Sequence, residues 1–225
     1  FNPSLESIDM ELSKRLQAIV DMVPDSTQSL ADVGTDHGQL IIKLILDQKI
    51  QTAYGLDIAS GPLMHAKANL MAYDLNDRVT LMKRDGLQDF DEAVDTIVIA
   101  GMGAETIVHI LSFYEINKHQ TVLVQSNTKQ PWLRKTLNEM GFEIIDEQFL
   151  FDNQKPVFIM KLMKGHQACN YETYLLGPIL KSHLNPSYLH YLKQRLLKLD
   201  EILEYKPENK LEYDTIQRYL GEVKS

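Results

Sequence analysis

Hydrophobic positions recur with two different spacings along the first two thirds of the chain, and the two spacings alternate. Spacing by three and four residues predicts helices over residues 4–23, 38–48, 61–73, 104–115 and 131–140. Short apolar runs predict strands over residues 29–33, 52–57, 78–83, 95–100 and 120–126. The second, fourth and fifth of these runs are almost continuously apolar, which is typical of parallel strands covered on both faces.

Two more strands are predicted at about 142–150 and 156–163, on either side of the polar stretch Asp152–Pro156. So short a polar link favours a hairpin, and a hairpin requires one antiparallel strand. Alternating strands and helices that end in a hairpin predict an α/β fold with a doubly wound sheet.

After Gly165 the pattern changes to helix alone. Leucines recur at steps of three and four from Leu189 to Leu203, Lys206-Pro207 interrupts the run, and the same spacing resumes from Tyr213 to Val223. We interpret the leucines as core and expect a small coiled-coil hairpin of two antiparallel helices. The predicted domains are therefore residues 1–165 and residues 166–225. A monomer is expected, although such a seam leaves pairing between chains open.

Composition narrows the class of protein. The chain has 225 residues, 44% of them hydrophobic, which suffices for one large core and a small additional module. No apolar run approaches the roughly 20 residues of a membrane span, and Phe1-Asn2-Pro3 does not resemble a signal peptide. The single cysteine, Cys169, excludes an internal disulfide and a cysteine cluster for zinc. We expect a cytoplasmic protein without membrane contact or metal.

The net charge and its distribution along the chain indicate which kind of partner the protein can bind. The formal net charge of −8 argues mildly against nucleic acid. Residues 1–165 carry 15 Lys and Arg against 23 Asp and Glu, whereas residues 166–225 carry 8 of each. RNA binding would therefore need a local basic patch, and for each candidate the commoner alternative is a solvated surface charge. The candidates are Arg15, Lys129, Arg134, Lys193, Arg195 and Lys198.

A glycine-containing turn joins the first predicted strand to the next helix, as Asp32-x-Gly34-x-Asp36-x-Gly38. Glycine lets such a turn bring backbone close to a ligand, and the helix N-terminus offers free N–H groups. The dinucleotide fingerprint would need glycine at 36 and a small residue at 39, where Asp36 and Gln39 stand. The turn instead resembles motif I of class I S-adenosylmethionine (SAM) methyltransferases. Asp36 suits a cationic cofactor, but it could also simply cap the helix.

The other strand ends supply further candidates, because ligands of open α/β sheets bind at the carboxyl ends of the strands. Asp57 is placed to accept from ribose hydroxyls, and Asp85 from an adenine amine, unless Asp85-Gly86 is merely a turn. Gly101 and Gly103 leave room for a base or a methyl group. The expected cofactor-binding residues are Asp32, Gly34, Asp36, His37, Gly38, Asp57, Ile58, Asp85, Gly86, Ala100, Gly101 and Met102.

A polar cluster, Gln125–Thr128, ends the fifth strand at the same edge. Asn127 could hydrogen-bond a substrate base, or it could cap the next helix, which Pro131 would start well. Trp132 on that helix is interpreted as a packing anchor rather than a stacking platform.

Taken together, Leu12–Leu16, Asp32–Gly38, Ile99–Gly103 and the terminal helical hairpin resemble the bacterial tRNA adenine-N1-methyltransferase family acting at position 22. The resemblance runs over essentially the whole chain, although Ser126 replaces a proline common in that family. It implies a SAM-dependent, Rossmann-like class I methyltransferase domain and a coiled-coil hairpin that helps to hold tRNA.

The implied reaction is an in-line attack of adenine N1 on the SAM methyl group. That nitrogen has an in-plane lone pair, so no strong base is needed and orientation carries much of the acceleration. Asp36 and Asn127 are the expected catalytic residues, acting by orienting the base. Two alternatives stay open, namely a SAM methyltransferase of a small molecule or protein, and a non-catalytic nucleotide-binding scaffold. An NAD enzyme fits less well because of Asp36 and Gln39.

Overall fold

A seven-stranded sheet organises the protein, whose computed structural model describes residues 10–223. The strands are β1 (Ser29–Val33), β2 (Thr52–Asp57), β3 (Val79–Lys83), β4 (Thr96–Met102), β5 (Thr121–Ser126), β6 (Phe142–Asp152) and β7 (Lys155–Lys164). The order across the sheet is β3-β2-β1-β4-β5-β7-β6. Strands β1 to β5 pair in parallel, whereas β7 is antiparallel to both β5 and β6. The predicted doubly wound α/β sheet with one antiparallel strand is confirmed.

Eight α-helices connect or follow these strands in the described part of the chain. They are α1 (Lys14–Met22), α2 (Gln39–Leu46), α3 (Ser60–Ala72), α4 (Ala104–Ser112), α5 (Gln130–Glu139), α6 (Tyr171–Leu176), α7 (Pro186–Ile202) and α8 (Lys210–Glu222). Within residues 10–223, none of the helices is long and apolar enough to cross a membrane.

Two apolar clusters cover the two faces of the sheet, as side chains that alternate along each strand require. On β1, Ala31 and Val33 belong to the cluster beneath α4 and α5, whereas Leu30, which precedes them, belongs to the cluster beneath α1, α2 and α3. The central strands are therefore buried from both sides, which explains their continuous apolar runs.

The first helix is shorter than its sequence pattern predicts. It begins at Lys14, with the Ser13 hydroxyl accepting a hydrogen bond from the Leu16 N–H at 3.2 Å. Residues 10–13 are not helical, and residues 4–9 of the predicted helix lie outside the described residues. A side-chain cap stops a helix regardless of apolar spacing upstream, since it satisfies the free N–H groups of the first turn.

The β6–β7 hairpin is tighter than predicted. Its strands pair up to Asp152 and Lys155, so the turn is only Asn153-Gln154. Both turn residues have positive φ, 47° and 63°, as expected of a two-residue turn that matches the strand twist. Because β6 runs parallel to the central strands, the turn lies at the same edge as their carboxyl ends.

The C-terminal helices pack onto the sheet rather than standing apart. A third apolar cluster joins Phe149 of β6 and Phe158 of β7 to Tyr188 and Leu192 of α7 and Ile216 of α8. The predicted pair of helices is present, with the first seam partly buried, and α6 precedes it as an unpredicted element. The domain boundary at residue 165 stays a prediction, since the third cluster spans it.

Candidate active site

The turn after β1 is shaped by backbone hydrogen bonds and by glycine. The N–H groups of Gly34 and Thr35 both donate to the Leu56 carbonyl, at 2.7 and 3.1 Å, which ties the turn to the end of β2. Gly34 has φ 79°, and a Cβ there would lie 2.6 Å from the Met102 Cε. The turn therefore favours glycine for its conformation, and a Cβ there would also displace the end of the Met102 side chain.

Asp36 does not cap the next helix, so the capping alternative is wrong. The N-cap of α2 is Gly38, with φ 71° and no side-chain hydrogen bond. Asp36 itself has φ 48°, and its side chain is 68% exposed, 3.6 Å from the His37 Nε2. Its carboxylate therefore stays available to a ligand near the free N–H groups of α2.

A cavity of about 320 Å³ lies between this turn, α1 and the end of β4. It brings together seven of the twelve predicted cofactor-binding residues, namely Asp32, Gly34, Asp36, His37, Ala100, Gly101 and Met102. The other five, Gly38, Asp57, Ile58, Asp85 and Gly86, do not line the cavity.

Four of these five residues extend the edge of the sheet beyond the cavity. The Asp57 Oδ1 accepts from the Ala59 N–H at 2.8 Å, and the Asp57 carbonyl accepts from the Arg84 N–H at 2.9 Å. Ile58 presents an apolar side chain that is 63% exposed, and Asp85 is also exposed. The ends of β2 and β3 thus offer two carboxylates and an apolar surface next to the cavity.

Asp32 is the buried acid of the cavity. Burial raises the pKa of its carboxyl from 3.8 to about 6, although the Arg15 guanidinium opposes the rise. Asp57 and Asp36 raise the pKa further through like charge. A cation that entered the cavity would therefore be attracted to a carboxylate with little solvent around it.

Arg15 lies elsewhere than the sequence predicted. It was expected on an RNA-binding surface, but it lines the cavity, and its Nη1 donates to the Gln125 Oε1 at 3.3 Å. The sequence could not reveal this because it depends on how α1 crosses the ends of β4 and β5.

The sequence predicted Gln125 only as part of the polar cluster Gln125–Thr128 and gave it no role of its own. Buried at the end of β5, its Oε1 accepts from the Gly101 N–H at 3.0 Å, and its Nε2 donates to the Asn127 Oδ1 at 3.1 Å. The Asn127 Nδ2 in turn donates to the Gly101 carbonyl at 2.8 Å. A glutamine at the end of an apolar strand was the available signal, since a buried amide needs partners.

The same network rules out the helix cap proposed for Asn127. The N-cap of α5 is Lys129, in a left-handed conformation and without a side-chain cap. Asn127 instead fastens the end of β5 to Gly101, where the register of β4 shifts by one residue. Trp132 is 41% exposed, so more than half of it is covered by the protein, and the packing interpretation of that residue stays a prediction.

Two predicted RNA contacts, Arg134 and Arg195, form ion pairs in the structure. Arg134 is fully buried, where it pairs with Glu147 and donates to the carbonyls of Tyr174 and Leu175. Arg195 makes two hydrogen bonds to Glu212, at 2.7 and 2.9 Å, and thereby joins α7 to α8. Folding buries the Arg134 guanidinium against Glu147, so it cannot contact RNA. The Arg195 side chain is 37% exposed, and its RNA contact stays a prediction.

The remaining lysines stay exposed but do not form one patch. Lys129 pairs with Glu105 beside the active site. Lys193 lines a pocket with Leu197 and Gln217 on the outside of the helical pair, and Lys198 is exposed on α7. Their RNA contacts stay a prediction.

Comparison with known proteins agrees with this arrangement. The sequence model of the family described as a methyltransferase domain matches residues 12–160, which contain the whole cavity. The chain belongs to this methyltransferase family. The predicted methyltransferase fold is thereby confirmed.

Relatives of the methyltransferase are similar over nearly their whole length. The tRNA (adenine(22)-N(1))-methyltransferase of Bacillus subtilis is 28% identical over 87% of this chain and 86% of that protein. The Streptococcus pneumoniae protein Sp1610 in complex with S-adenosyl-L-methionine has a TM-score of 0.84 and 28% identity, covering 93% of this chain and all of the other. M. capricolum TrmK with S-adenosyl-homocysteine has a TM-score of 0.75 and 25% identity, covering 96% and 97%. The resemblance predicted from the sequence is confirmed.

Proposed function

We propose that this methyltransferase transfers a methyl group from SAM to N1 of the adenine at position 22 of tRNA. One observation carries the proposal: the likeness to the Bacillus subtilis tRNA methyltransferase and to TrmK continues past the methyltransferase domain into the C-terminal helices. A shared catalytic domain alone would support only methyl transfer, because the same fold serves many substrates. Likeness in both parts of the chain favours a shared substrate as well.

The cavity fits the methionine end of SAM. That end carries a sulfonium, an α-amino group and an α-carboxylate. The cavity offers groups of opposite charge to these, namely the carboxylates of Asp32 and Asp36 and the guanidinium of Arg15. Asp57 at the end of β2 is placed for the ribose, and Asp85 with the exposed Ile58 for the adenine. Since these side chains project from successive strand ends, an extended nucleoside ligand can reach all of them.

The cofactor supplies an electrophilic methyl group bonded to sulfur. The lone pair of adenine N1 forms the new bond to carbon while the carbon–sulfur bond breaks, and its electron pair goes to the sulfur. The protein's contribution is orientation, which can be worth about 7–11 kcal/mol. The Asn127 amide is held by Gln125 and Gly101 with one N–H and one lone pair unused, so it can hydrogen-bond a base in one orientation. Asp36 stands at the mouth of the cavity, where its charge favours the cationic product.

The RNA reaches the cavity, in this proposal, along a cleft of about 690 Å³. The cleft is lined by Lys14 of α1, by Phe151 and Asp152 of β6, by the Asn153-Gln154 turn, and by His190 and Gln194 of α7. Asp152 of the cleft accepts from the N–H of Arg15, which lines the cavity, at 3.4 Å, so the cleft begins beside the cavity. Amides, a lysine and a histidine suit phosphates and single-stranded bases, and the protein would act in the cytoplasm with its tRNA.

Methyl transfer to unmodified tRNA transcripts tests the proposal, with nucleoside mass spectrometry to identify and place the product. We expect 1-methyladenosine at position 22 and no product when that adenine is replaced. Protein that binds SAM but methylates no transcript would overturn the tRNA substrate and favour a small molecule or protein, which the charge of −8 suits.

A truncated protein is a poor test of the same question. Removing the helices after residue 165 would expose Phe149 and Phe158, which share a cluster with them. A double substitution on the surface, Lys14→Glu with Gln194→Glu, instead leaves that cluster in place. We expect it to weaken tRNA binding at least tenfold while SAM binding stays unchanged.

A further inference from the structure

We infer that a second cavity, between α5 and the C-terminal helices, binds an unpaired base of the RNA next to the target adenine, a role that rests on the proposed function. This second cavity has a volume of about 280 Å³ and is enclosed mainly by the first turns of α5, by α7 and by α8. It shares no lining residue with the cavity at the end of β4, so it is a separate site from the one proposed for methyl transfer.

One wall of the second cavity adjoins the active-site edge. Gln130 and Pro131, in the first turn of α5, form part of this wall. The Gln130 Nε2 donates to the Ser126 carbonyl at 3.1 Å, and Asn127, which is expected to orient the target adenine, directly follows Ser126. Three chain positions separate Asn127 from Gln130, so their Cα atoms are at most about 11 Å apart. A nucleotide that flanks the target adenine can therefore reach the second cavity.

The opposite wall belongs to α7, the helix that also lines the proposed RNA cleft. Tyr191 and Arg195 of α7 line the second cavity. His190 and Gln194, each directly before one of them, line the cleft. Successive residues of a helix differ in direction by about 100°, so the cleft and the second cavity lie on neighbouring faces of α7. RNA that follows the cleft therefore passes beside the second cavity.

The charges around the second cavity favour a base over a phosphate. Its lining contains two guanidinium groups, and each already has a carboxylate partner. Arg134 is paired with Glu147. Arg195 is paired with Glu212. Since no cation of the described lining lacks a counter-charge, a phosphate would bring an unbalanced negative charge into the cavity, whereas a neutral base brings none.

The lining also offers stacking surfaces and unused hydrogen-bond donors. Phe158 and Tyr191 line the cavity, and bases stack on aromatic rings and on guanidinium planes alike. The Tyr191 hydroxyl makes no hydrogen bond within residues 10–223. Arg195 uses its Nε and Nη2 on Glu212, which leaves the N–H groups of Nη1 for an acceptor on a base. The volume, just below the roughly 300–1,000 Å³ of sites for drug-sized ligands, suits a single ring system.

Filling the second cavity tests the inference. Ile216 of α8 lines it and is 1% exposed, so Ile216→Phe would place a ring in the space proposed for the base. We expect tRNA affinity to fall roughly 5- to 100-fold, the worth of one stacked base, while SAM affinity and the thermal unfolding midpoint do not fall. Leu211→Phe, at an exposed position of the same helix, is the matched control and should change neither affinity.

Transcripts that lack a single base show whether the ligand is part of the RNA. We would measure the binding of the wild type and of Ile216→Phe to tRNAs with an abasic site at each of the two nucleotides that flank position 22. For one of these transcripts, wild-type affinity should fall by roughly 5- to 100-fold. The affinity of Ile216→Phe for it should fall less than about threefold, because this variant no longer holds the base.

A smaller substitution covers the case in which Ile216→Phe does not fold. Tyr191→Phe keeps the ring and removes a hydroxyl that has no hydrogen bond within the described residues. We expect it to weaken the binding of intact tRNA about three- to tenfold and to leave the binding of the abasic transcript unchanged.

Two results would overturn the inference. The first is wild-type tRNA affinity in folded Ile216→Phe or, if that variant unfolds, in Tyr191→Phe, which would leave the second cavity as a gap in the packing. The second is an equal loss of affinity for intact and abasic transcripts, which would mean that the substitutions act on another contact. A wild type that binds SAM but methylates no tRNA would instead overturn the proposed function.

Discussion

The Nε of Arg134 lies 2.7 Å from the Oε1 of Glu147, and both side chains are 1% exposed. Arg134 also donates to the Tyr174 carbonyl at the end of α6, while the Glu147 Oε2 accepts from the Ile179 N–H beyond that end. One buried ion pair therefore fastens the segment that leads into the C-terminal helices onto α5 and β6. Helix α5 begins at Gln130, three positions after Asn127, so this fastening also supports the active-site edge.

Breaking the pair by removing one partner should destabilise the protein severely. For Arg134→Met we expect the free energy of unfolding to fall by about 3–5 kcal/mol, because Glu147 would remain buried without a counter-charge. Denaturant unfolding followed by circular dichroism measures the change. The double substitution Arg134→Met with Glu147→Leu should be less destabilised than either single one, and additive losses would contradict the account.

Gly177 is required by the same ion pair. A Cβ at this position would lie 2.5 Å from the Glu147 Oε2 and 3.0 Å from the Arg134 Nη2, and its φ is 86°. We expect Gly177→Ala to cost about 2–4 kcal/mol of stability through steric overlap and backbone strain. Gly221→Ala is the matched control, since its Cβ would meet nothing within 4 Å in α8. That substitution should raise stability by roughly 0.5–1 kcal/mol, and similar losses for both would disprove the assignment.

Substitution of Gly34 should reduce SAM affinity more than it reduces the stability of the fold. Gly34→Ala strains the backbone at φ 79°, and its Cβ would lie 2.6 Å from the Met102 Cε and displace that side chain into the cavity region. We expect SAM affinity to fall at least tenfold, with a stability loss of about 1–2 kcal/mol. Isothermal titration calorimetry compares the SAM affinity of Gly34→Ala with that of Gly61→Ala, whose Cβ would meet nothing within 4 Å. Equal SAM affinity in the two variants would refute this.

The pKa of Asp32 predicts a pH dependence of stability. It rises from 3.8 to about 6 on folding because the carboxyl is buried. As pH increases through this range, the unfolded chain loses its proton first, so the free energy of unfolding falls and the loss is complete above about pH 6. At pH above about 7 we expect ligand-free Asp32→Asn to be more stable than the wild type by roughly 2–3 kcal/mol.

Urea unfolding at several pH values checks this prediction. The advantage of Asp32→Asn should disappear near about pH 4, where the wild-type carboxyl is protonated in the folded protein. A constant difference across the range would mean that packing, not ionisation, separates the two proteins.

Gln125 should act on turnover through Asn127. Gln125→Glu keeps an acceptor for Gly101 and Arg15 but removes the donor to the Asn127 Oδ1. If Asn127 orients the base, kcat should fall roughly 10- to 100-fold. The KM for SAM should change little, since the acceptor is kept. Steady-state methyl transfer to tRNA measures both, and an effect confined to KM would assign Gln125 to cofactor binding instead.

Much of the fold follows from local pattern. Short apolar runs predicted every strand of the sheet, because parallel strands covered on both faces are apolar throughout. The helical spacing of 3.6 residues is a property of the backbone itself. Helix ends were less predictable, as Ser13 shows for α1. Short α6 escaped prediction because six residues are too few to establish a period.

The glycine turn could also be predicted from the sequence. Its positive φ values at Gly34 and Gly38, and the helix that follows, depend on neighbouring residues alone. The positions of the charged side chains in the folded protein could not be predicted from the sequence. Arg15 and Arg134 look alike in the sequence, yet one lines the cavity and the other is buried against Glu147.

The sequence by itself determined the order of strands and helices, the glycine turn and the family resemblance, because these rest on short-range spacing. Only the tertiary structure decided which arginine faces a ligand, what Gln125 and Asn127 hold in place, and how the C-terminal helices join the sheet. Those outcomes depend on partners 13 to 110 positions apart, such as Arg134 with Glu147 and Arg15 with Gln125. Side-chain charges interact over a few ångströms in space, and only the folded chain sets those distances.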